Sequence, residues 1–344
     1  MNASNHRTAR CSRHARLRRR PAHLVAIGVA AATMSLAGCS TSPSDQTTST
    51  APSATVGAPT APGAQSPCVP GAQQLNQVYR DLPGVDPNLV SLDVFQPDCG
   101  TPLEPSPIVV FVHGGGFRNG DKTNKVTDKV RVFNEAGWVF VSANYRLVGD
   151  PESGPDGATF PAQADDLAAA VEWLQTNASS FDADPTRIAL IGHSAGAFLV
   201  AQQGTNPSYL TEAGADPSSL RCVVPLDTET FDIEDQIAGG GNQEAVHRAT
   251  FGDDPVVWEQ ASPQTGANAG TVTADFLLVT RGGADRAAGN QRFADALVTA
   301  GVSADVVNAE PLSHLEVNAA VGVESDQIVT PPLMEFLDAC FAAP

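Results

Sequence analysis

The chain has 344 residues, of which 38 are acidic and 20 basic, giving a formal net charge of −18. This excess of negative charge disfavours nucleic acid and anionic lipid headgroups as partners, because both are polyanions, but it says little about an uncharged small molecule. The stretch beyond the N-terminal region, about 275 residues, is of ordinary size for one α/β domain with a large core.

The N-terminal residues predict export. Residues 1–38 contain seven arginines and no acidic residue, and the apolar run over 24–38 is too short for a comfortable membrane span. The run ends in Leu36-Ala-Gly-Cys39, which resembles a bacterial lipobox. We therefore expect a lipoprotein signal peptide over 1–38 and a lipid on Cys39 as the only membrane contact. A plain signal peptide with an incidental cysteine is the alternative. Removal of residues 1–38 leaves 13 basic and 38 acidic residues, a charge of −25.

Residues 39–67 consist mainly of Ser, Thr, Ala, Pro and Gly. This composition is too polar and Pro-rich to bury a core, so it predicts a disordered tether. The folded domain is then expected over 68–344.

Four cysteines remain in the predicted domain, at positions 68, 99, 222 and 340. An even number in an exported chain indicates two disulfides, with three possible pairings. We favour Cys68 with Cys99, which would pin the start of the domain to an early strand, and Cys222 with Cys340. No Cys-x-x-Cys or paired-His spacing is present in the sequence, and we expect neither a metal nor an organic cofactor.

Short apolar runs alternate with amphipathic segments such as 162–174, whose apolar residues recur at about helical spacing. This alternation predicts an α/β fold, a mostly parallel sheet with helices on both faces. Strands are predicted at 90–95, 107–112, 138–143, 188–193, 221–226, 275–280 and 303–308.

A glycine loop follows the second predicted strand, where 108–112 runs into His113-Gly-Gly-Gly116. Residues without side chains allow close approach to a ligand and can aim their N–H groups at a developing oxyanion. A phosphate-binding loop is disfavoured, since neither Lys-Ser/Thr nor Gly-x-Gly-x-x-Gly spacing follows. The expected oxyanion donors are the N–H groups of Gly115 and Gly116, together with that of Ala195.

Residues 188–200 are typical of a buried strand that breaks at Gly192-His-Ser-Ala-Gly196 and restarts as a helix. The glycines two positions before and after Ser194 permit a tight reversal that leaves the serine exposed above the sheet. We predict that Ser194 is a nucleophile. A structural Gly/Ser turn is the alternative.

A serine hydroxyl needs a base, and histidine has the suitable pKa. His314 follows the last predicted strand and is favoured, whereas His247 is interpreted as a solvated or cap-region histidine. The base needs an orienting acid. Asp285, on the loop after 275–280, is favoured by chain order and strand context. Asp227, after 221–226, is the fallback.

The elbow and glycine loop, together with Ser142-Ala-Asn-Tyr-Arg-Leu147 and Asp184-Pro-Thr-Arg187, resemble α/β-hydrolases of the carboxylesterase kind. The similarity is to the hormone-sensitive-lipase-like and feruloyl-esterase-like branches, over about residues 85 to 344. It implies hydrolysis of a small-molecule carboxylic ester through an acyl-enzyme, with the order Ser, Asp, His along the chain. An arylformamidase-type amide hydrolase resembles the same motifs, and a non-catalytic binding protein on this fold is the more distant alternative.

The resemblance also implies that the interruption over 228–270 forms a small cap or a wall of the acyl pocket. A surface excursion is the alternative. Phe117, Tyr145 and Trp258 are the candidate substrate-binding residues.

Overall fold

The computed structural model describes residues 68–100, 104–154, 157–229 and 231–343. The predicted signal peptide, Cys39 and the tether lie outside these residues. Within them, no helix combines the length and apolar character that crossing a membrane requires.

One eight-stranded sheet organises the described residues, in the order β1-β2-β4-β3-β5-β6-β7-β8. The β1–β2 and β2–β4 pairs are antiparallel, and every other neighbouring pair is parallel. The mostly parallel sheet is therefore confirmed, and each predicted strand is present. The strands are β1 (Val69–Val78), β2 (Ser91–Asp98), β3 (Ser106–Val112), β4 (Val139–Ala143), β5 (Ala183–His193), β6 (Leu220–Leu226), β7 (Asp275–Thr280) and β8 (Ala304–Asn308).

Helices cover both faces of the sheet. They are α1 (Thr127–Glu135), α2 (Ala162–Asn177), α3 (Ala195–Thr205), α4 (Ser208–Ala213), α5 (Ile233–Ala238), α6 (Gly241–Phe251), α7 (Pro255–Ala261), α8 (Pro263–Ala269), α9 (Ala284–Thr299), α10 (His314–Ala320) and α11 (Thr330–Ala342). The interruption predicted over 228–270 is thus helical, since α5 to α8 fill it.

The central strands are buried on both faces, which explains their continuous apolar runs. In β3, Ile108 and Val110 pack into the core on one side of the sheet, while Val109 and Phe111 pack into the core on the other side. Because consecutive side chains of a strand point to opposite faces, each face contributes its own apolar layer. Residues at the carboxyl ends of the parallel strands consequently meet at one edge of a rigid sheet.

The strand β1 was not predicted. It lies at the edge of the sheet, pairs only with β2, and leaves most of its side chains exposed or half-buried. An edge strand of this kind carries no apolar run to mark it. The disulfide Cys68–Cys99 links its start to the end of β2, and Cys222–Cys340 links β6 to α11. Both favoured pairings are present in the structure.

Candidate active site

Ser194 stands at the sharp turn between β5 and α3. Its backbone has φ 57° and ψ −116°, a left-handed conformation that costs energy for a residue with a side chain. Its N–H donates to the carbonyl of Leu226 at 3.0 Å, which ties the turn to β6. A Cβ on Gly196 would collide with the carbonyls of Val112 and His113, so only glycine fits there. The surrounding packing thus holds the serine in its strained position, as the predicted elbow requires.

His314 is the first residue of α10 and faces Ser194. Its Nε2 lies 2.9 Å from Ser194 Oγ. A capping box fixes the start of this short helix. The Ser313 side chain accepts a hydrogen bond from the backbone N–H of Glu316, and the Glu316 carboxylate accepts one from the backbone N–H of Ser313 at 2.8 Å. The sequence therefore sets the imidazole on an anchored helix terminus rather than on a free loop.

Asp227 is the acid that contacts His314. Its Oδ2 lies 2.6 Å from His314 Nδ1, and the carboxylate is fully buried. With Nδ1 donating to the carboxylate, Nε2 carries the lone pair and can accept the proton of Ser194. The three side chains form one hydrogen-bonded line from a buried anion to an accessible hydroxyl.

The assignment of Asp285 as orienting acid is corrected by this geometry. After β7 the chain passes through Gly282 and Gly283 and enters α9, which places Asp285 exposed in the first helical turn. A carboxylate there suits the positive end of the helix dipole. Asp227, the fallback, instead follows β6 directly and has φ 56°, with its N–H donating to Val279 O at 2.7 Å.

Two arginines that were not among the predicted site residues contact the acid. Arg281 Nε lies 2.8 Å from Asp227 Oδ2, and Arg286 Nη2 lies 3.0 Å from Oδ1. Burial alone favours the protonated carboxyl. The hydrogen bond from His314 and the charges of Arg286 and Arg281 outweigh burial and hold the pKa of Asp227 below its ordinary value. The sequence did contain a signal for them. In Arg281-Gly-Gly-Ala-Asp-Arg286, two basic residues flank Asp285, the acid that was expected to orient the base.

The glycine loop lies beside the elbow. A Cβ on Gly114 would come within 2.9 Å of Ser194 Cβ, so the loop approaches the serine only because that side chain is absent. Gly116 and Ala195 both line the pocket next to Ser194. The Ala195 N–H belongs to the first turn of α3 and has no intrahelical acceptor. Gly115 does not line this pocket; its carbonyl accepts from Arg118 and Asn119 and closes the turn.

His113 and Tyr145 hold the glycine loop from behind. Their rings stack with centroids 4.4 Å apart, and the Tyr145 hydroxyl donates to the His113 carbonyl at 3.0 Å. Burial lowers the pKa of His113 and raises that of Tyr145, so both are neutral at neutral pH. Tyr145 therefore supports the loop and does not line the pocket, contrary to its expected role in substrate binding.

A pocket of about 160 Å³ opens over Ser194. Phe117 lines it as predicted, whereas Trp258 does not and instead donates from Nε1 to Gly252 O at 3.0 Å. The lining residues are Gly116, Phe117, Ser194, Ala195, Phe198, Asp227, Thr228, Glu229, Gln236, Gln243, Val246, His247, Arg281, Arg286 and His314. Because α5 and α6 contribute several of them, the 228–270 segment forms one wall.

His247, interpreted as a solvated or cap-region histidine, belongs to the 228–270 segment and is not solvated. It is buried in α6, with its ring stacked on Phe251 and edge-on to Phe117. Its Nδ1–H donates to Gln243 O at 2.8 Å, and burial lowers its pKa, which keeps the ring neutral. It thus behaves as an aromatic wall of the pocket.

His193, between Gly192 and Ser194, lies under the base. Its ring centroid is 4.5 Å from that of His314, and its Nε2–H donates to the His314 carbonyl at 2.9 Å. Burial, with the nearby His314, lowers the pKa of His193 to about 4. A neutral imidazole therefore braces the backbone of the base. Among the described residues, no group of three or more His, Cys, Asp or Glu side chains is arranged to hold a metal ion.

Comparison with known proteins finds similarity over the part of the chain that contains Ser194 and Asp227. Residues 92–229 match the family model BD-FAE, a segment that contains the glycine loop, the elbow and Asp227. Para-nitrobenzyl esterase of Bacillus subtilis (strain 168) is 32% identical over 144 residues, which cover 39% of this chain and 28% of that protein. Phenmedipham hydrolase of Pseudarthrobacter oxydans is 30% identical over 155 residues, covering 42% and 29%. The chain thus spans less than a third of the length of these two relatives.

Esterase B of Lactobacillus rhamnosis (HN001) superposes with a TM-score of 0.62 at 18% identity, covering 78% of this chain and 86% of that one. Such a likeness at low identity shows the fold. The chain therefore has the α/β-hydrolase fold, and its residues 92–229 carry the domain that the BD-FAE model describes.

Proposed function

We propose that this protein is a serine hydrolase that cleaves carboxylic esters through an acyl-enzyme. The observation that carries the proposal is the hydrogen-bonded line from Asp227 Oδ2 to His314 Nδ1 at 2.6 Å and from His314 Nε2 to Ser194 Oγ at 2.9 Å. These distances allow proton transfer without rearrangement of the described side chains. The named esterases among the relatives support the same reaction class.

We assign one step of the proposed reaction to each group. Ser194 Oγ attacks the acyl carbon as its proton passes to His314 Nε2, and Asp227 stabilises the resulting imidazolium. The N–H groups of Gly116 and Ala195 meet the tetrahedral oxyanion. The imidazolium then donates its proton to the leaving alcohol oxygen. Water, deprotonated by His314, attacks the acyl-enzyme and releases the acid and the free serine.

The pocket favours short acyl groups. Apolar side chains of Phe117, Phe198 and Val246 form part of its lining. An apolar cavity of about 150 Å³ holds a molecule of roughly benzene size. Acetyl to butyryl groups therefore fit the 160 Å³ pocket, whereas an octanoyl chain has to extend out of it.

The test is turnover of p-nitrophenyl acetate, butyrate and octanoate by the full-length protein, with Ser194→Ala as control. We expect kcat/KM to fall between butyrate and octanoate, and the alanine variant to lose about three orders of magnitude or more. Parallel assays with p-nitroacetanilide and formanilide address amide hydrolysis. Activity on the anilides alone, or full ester turnover by Ser194→Ala, contradicts the proposal.

We further propose that the protein is exported and held at the outer face of the membrane by a lipid on Cys39. The basic and apolar N-terminal pattern supports export. The two disulfides fit an oxidising compartment. We expect Cys39→Ser to move ester hydrolase activity from the membrane fraction to the soluble fraction. Mass spectrometry of the N-terminal peptide reports the lipid directly, and an unmodified Cys39 in membrane-bound protein contradicts the anchor.

A further inference from the structure

The acid of the site is surrounded by positive charge. Arg281 reaches the same carboxylate oxygen, Oδ2, that His314 uses, at 2.8 Å, and Arg286 lies 3.0 Å from Oδ1. Arg286 also donates to the Asp227 backbone carbonyl at 3.3 Å. The two guanidiniums come from the end of β7 and from α9, so separate elements converge on one buried anion.

The contact between Arg286 and Asp227 Oδ1 is an ion pair without hydrogen-bond geometry. Asp227 Oδ1 is buried and has no partner that meets hydrogen-bond geometry, although Arg286 is close. A fully buried carboxylate is costly unless opposite charge compensates it. A neutral imidazole supplies a hydrogen bond but no charge, so the positive charge that compensates this carboxylate comes from the two arginines.

The acidic side chains near Asp227 and His314 have partners of their own. Glu229 is 43% exposed and forms an ion pair with Arg286 Nη1 at 2.6 Å. Glu316, on the helix of His314, accepts a hydrogen bond from the Ser313 N–H. His193 is neutral at neutral pH because burial lowers its pKa. Among the residues that the structure describes, the cationic side chains in contact with the acid are those of Arg281 and Arg286.

We propose that Arg281 and Arg286 are positioning residues that hold Asp227 ionised and aligned with His314, and that they thereby set the lower pH limit of the enzyme. The proposal deepens the proposed ester hydrolysis and rests on it for the kinetic readout. Two cations in contact with one buried carboxylate oppose its protonation, and the bond from Arg281 helps to fix Oδ2, the oxygen that faces His314. Both effects keep the acid charged and directed at the base, and the enzyme active, at lower pH.

Arg281→Met is the variant to test. The Arg281 side chain is 26% exposed and that of Arg286 is 10% exposed, so replacing Arg281 destabilises the fold less. We expect the acid limb of the kcat/KM profile for p-nitrophenyl acetate to move up by about half to one pH unit, a loss of about 3- to 10-fold on that limb. We expect kcat to carry the loss while KM stays near the wild-type value.

Two control variants separate charge from structure. Arg281→Lys keeps the charge, and we expect its acid limb to lie near that of the wild type. Arg292→Met removes an arginine from the same helix as Arg286, but its partner is Asp235 at 2.9 Å and both are exposed. We expect no shift of the limb for this variant.

A readout independent of turnover is the pH titration of the Asp227 carboxyl carbon signal by NMR, assigned by its loss in Asp227→Asn. We expect its midpoint to rise in Arg281→Met and to return towards the wild type in Arg281→Lys. Unchanged midpoints and limbs in folded Arg281→Met overturn the proposal even if the enzyme hydrolyses esters. If the wild type hydrolyses none, the proposed function fails and the NMR titration still decides the role of the arginines.

Discussion

Replacement of Asp227 by Asn distinguishes the acid seen in the structure from the one that the sequence favoured. The change keeps the size of the side chain but removes the charge that faces His314 Nδ1 at 2.6 Å. An amide N–H directed at Nδ1 stabilises the tautomer in which Nε2 carries the proton. That tautomer cannot accept the proton of Ser194. Asp227→Asn therefore removes the ability of His314 to act as a base and leaves Ser194 itself unchanged.

The expected cost follows from this tautomer. The equivalent change in a serine protease triad lowers kcat about 10⁴-fold, or about 5 kcal/mol of barrier. We expect a loss of about 10³- to 10⁴-fold in Asp227→Asn. Stability also falls, because Arg281 and Arg286 lose the charge that they share, and breaking a buried ion pair costs about 3–5 kcal/mol.

The assay is kcat with p-nitrophenyl acetate at neutral pH, with circular dichroism and a denaturant titration showing that the variant remains folded. Asp285→Asn is the matched control, since Asp285 is exposed and contacts neither Ser194 nor His314. We expect it to retain activity within about twofold. Comparable losses in both variants, or a loss confined to Asp285→Asn, refute the assignment of Asp227.

Three further outcomes are expected. Gly116→Ala places a side chain at φ +61°, where left-handed backbone costs about 1–2 kcal/mol, and we expect at least a tenfold loss of kcat with little change in KM; unchanged kcat argues against Gly116 as a donor. His193→Gln removes a histidine whose pKa burial lowers to about 4. Because the neutral form is favoured in the folded state, the stability present above pH 6.5 is lost as the pH falls towards 4. Urea unfolding at pH 7 and 4.5 is expected to show a smaller pH-dependent loss of stability in that variant than in the wild type, by about 2 kcal/mol; equal losses contradict the burial argument. Replacing Cys222 and Cys340 together by Ser opens a loop with a sequence separation of 118, and we expect unfolding to become easier by about 2–4 kcal/mol, measured by the same titration; no change indicates that the bond does not form.

The sequence predicted those parts of the fold that carry a strong local signal. The run 108–112 is buried on both sides, so it is apolar at every position and marks β3 without tertiary information. The strand Val69–Val78 has no such run, because an edge strand is defined by its backbone partner and not by burial. Ser194 was predictable from the local Gly-x-Ser-x-Gly pattern, and His314 from its position after the last predicted strand.

Pocket residues were harder to predict because their roles depend on packing between distant segments. Tyr145 and Trp258 are aromatic and occur near candidate loops, but one supports the His113 carbonyl and the other bonds to Gly252. His247 looked solvated in a polar stretch, yet α6 turns it onto Phe117. Nothing in the composition of the 228–270 segment specifies which face of each short helix meets the sheet.

The position of the acid is decided by how each strand ends. Leu226 of β6 pairs with Val279 of β7, so the residues that follow these two parallel strands leave the sheet side by side at the same edge. Neighbouring strands lie about 4.8 Å apart, close enough for groups from either loop to reach His314. Asp227 follows its strand immediately and is fixed by an N–H bond to Val279 O. Asp285 follows two glycines and lies in the first turn of the next helix, so the helix determines where its carboxylate points. The number of residues between the strand end and the acid therefore discriminates between the two candidates better than chain order does.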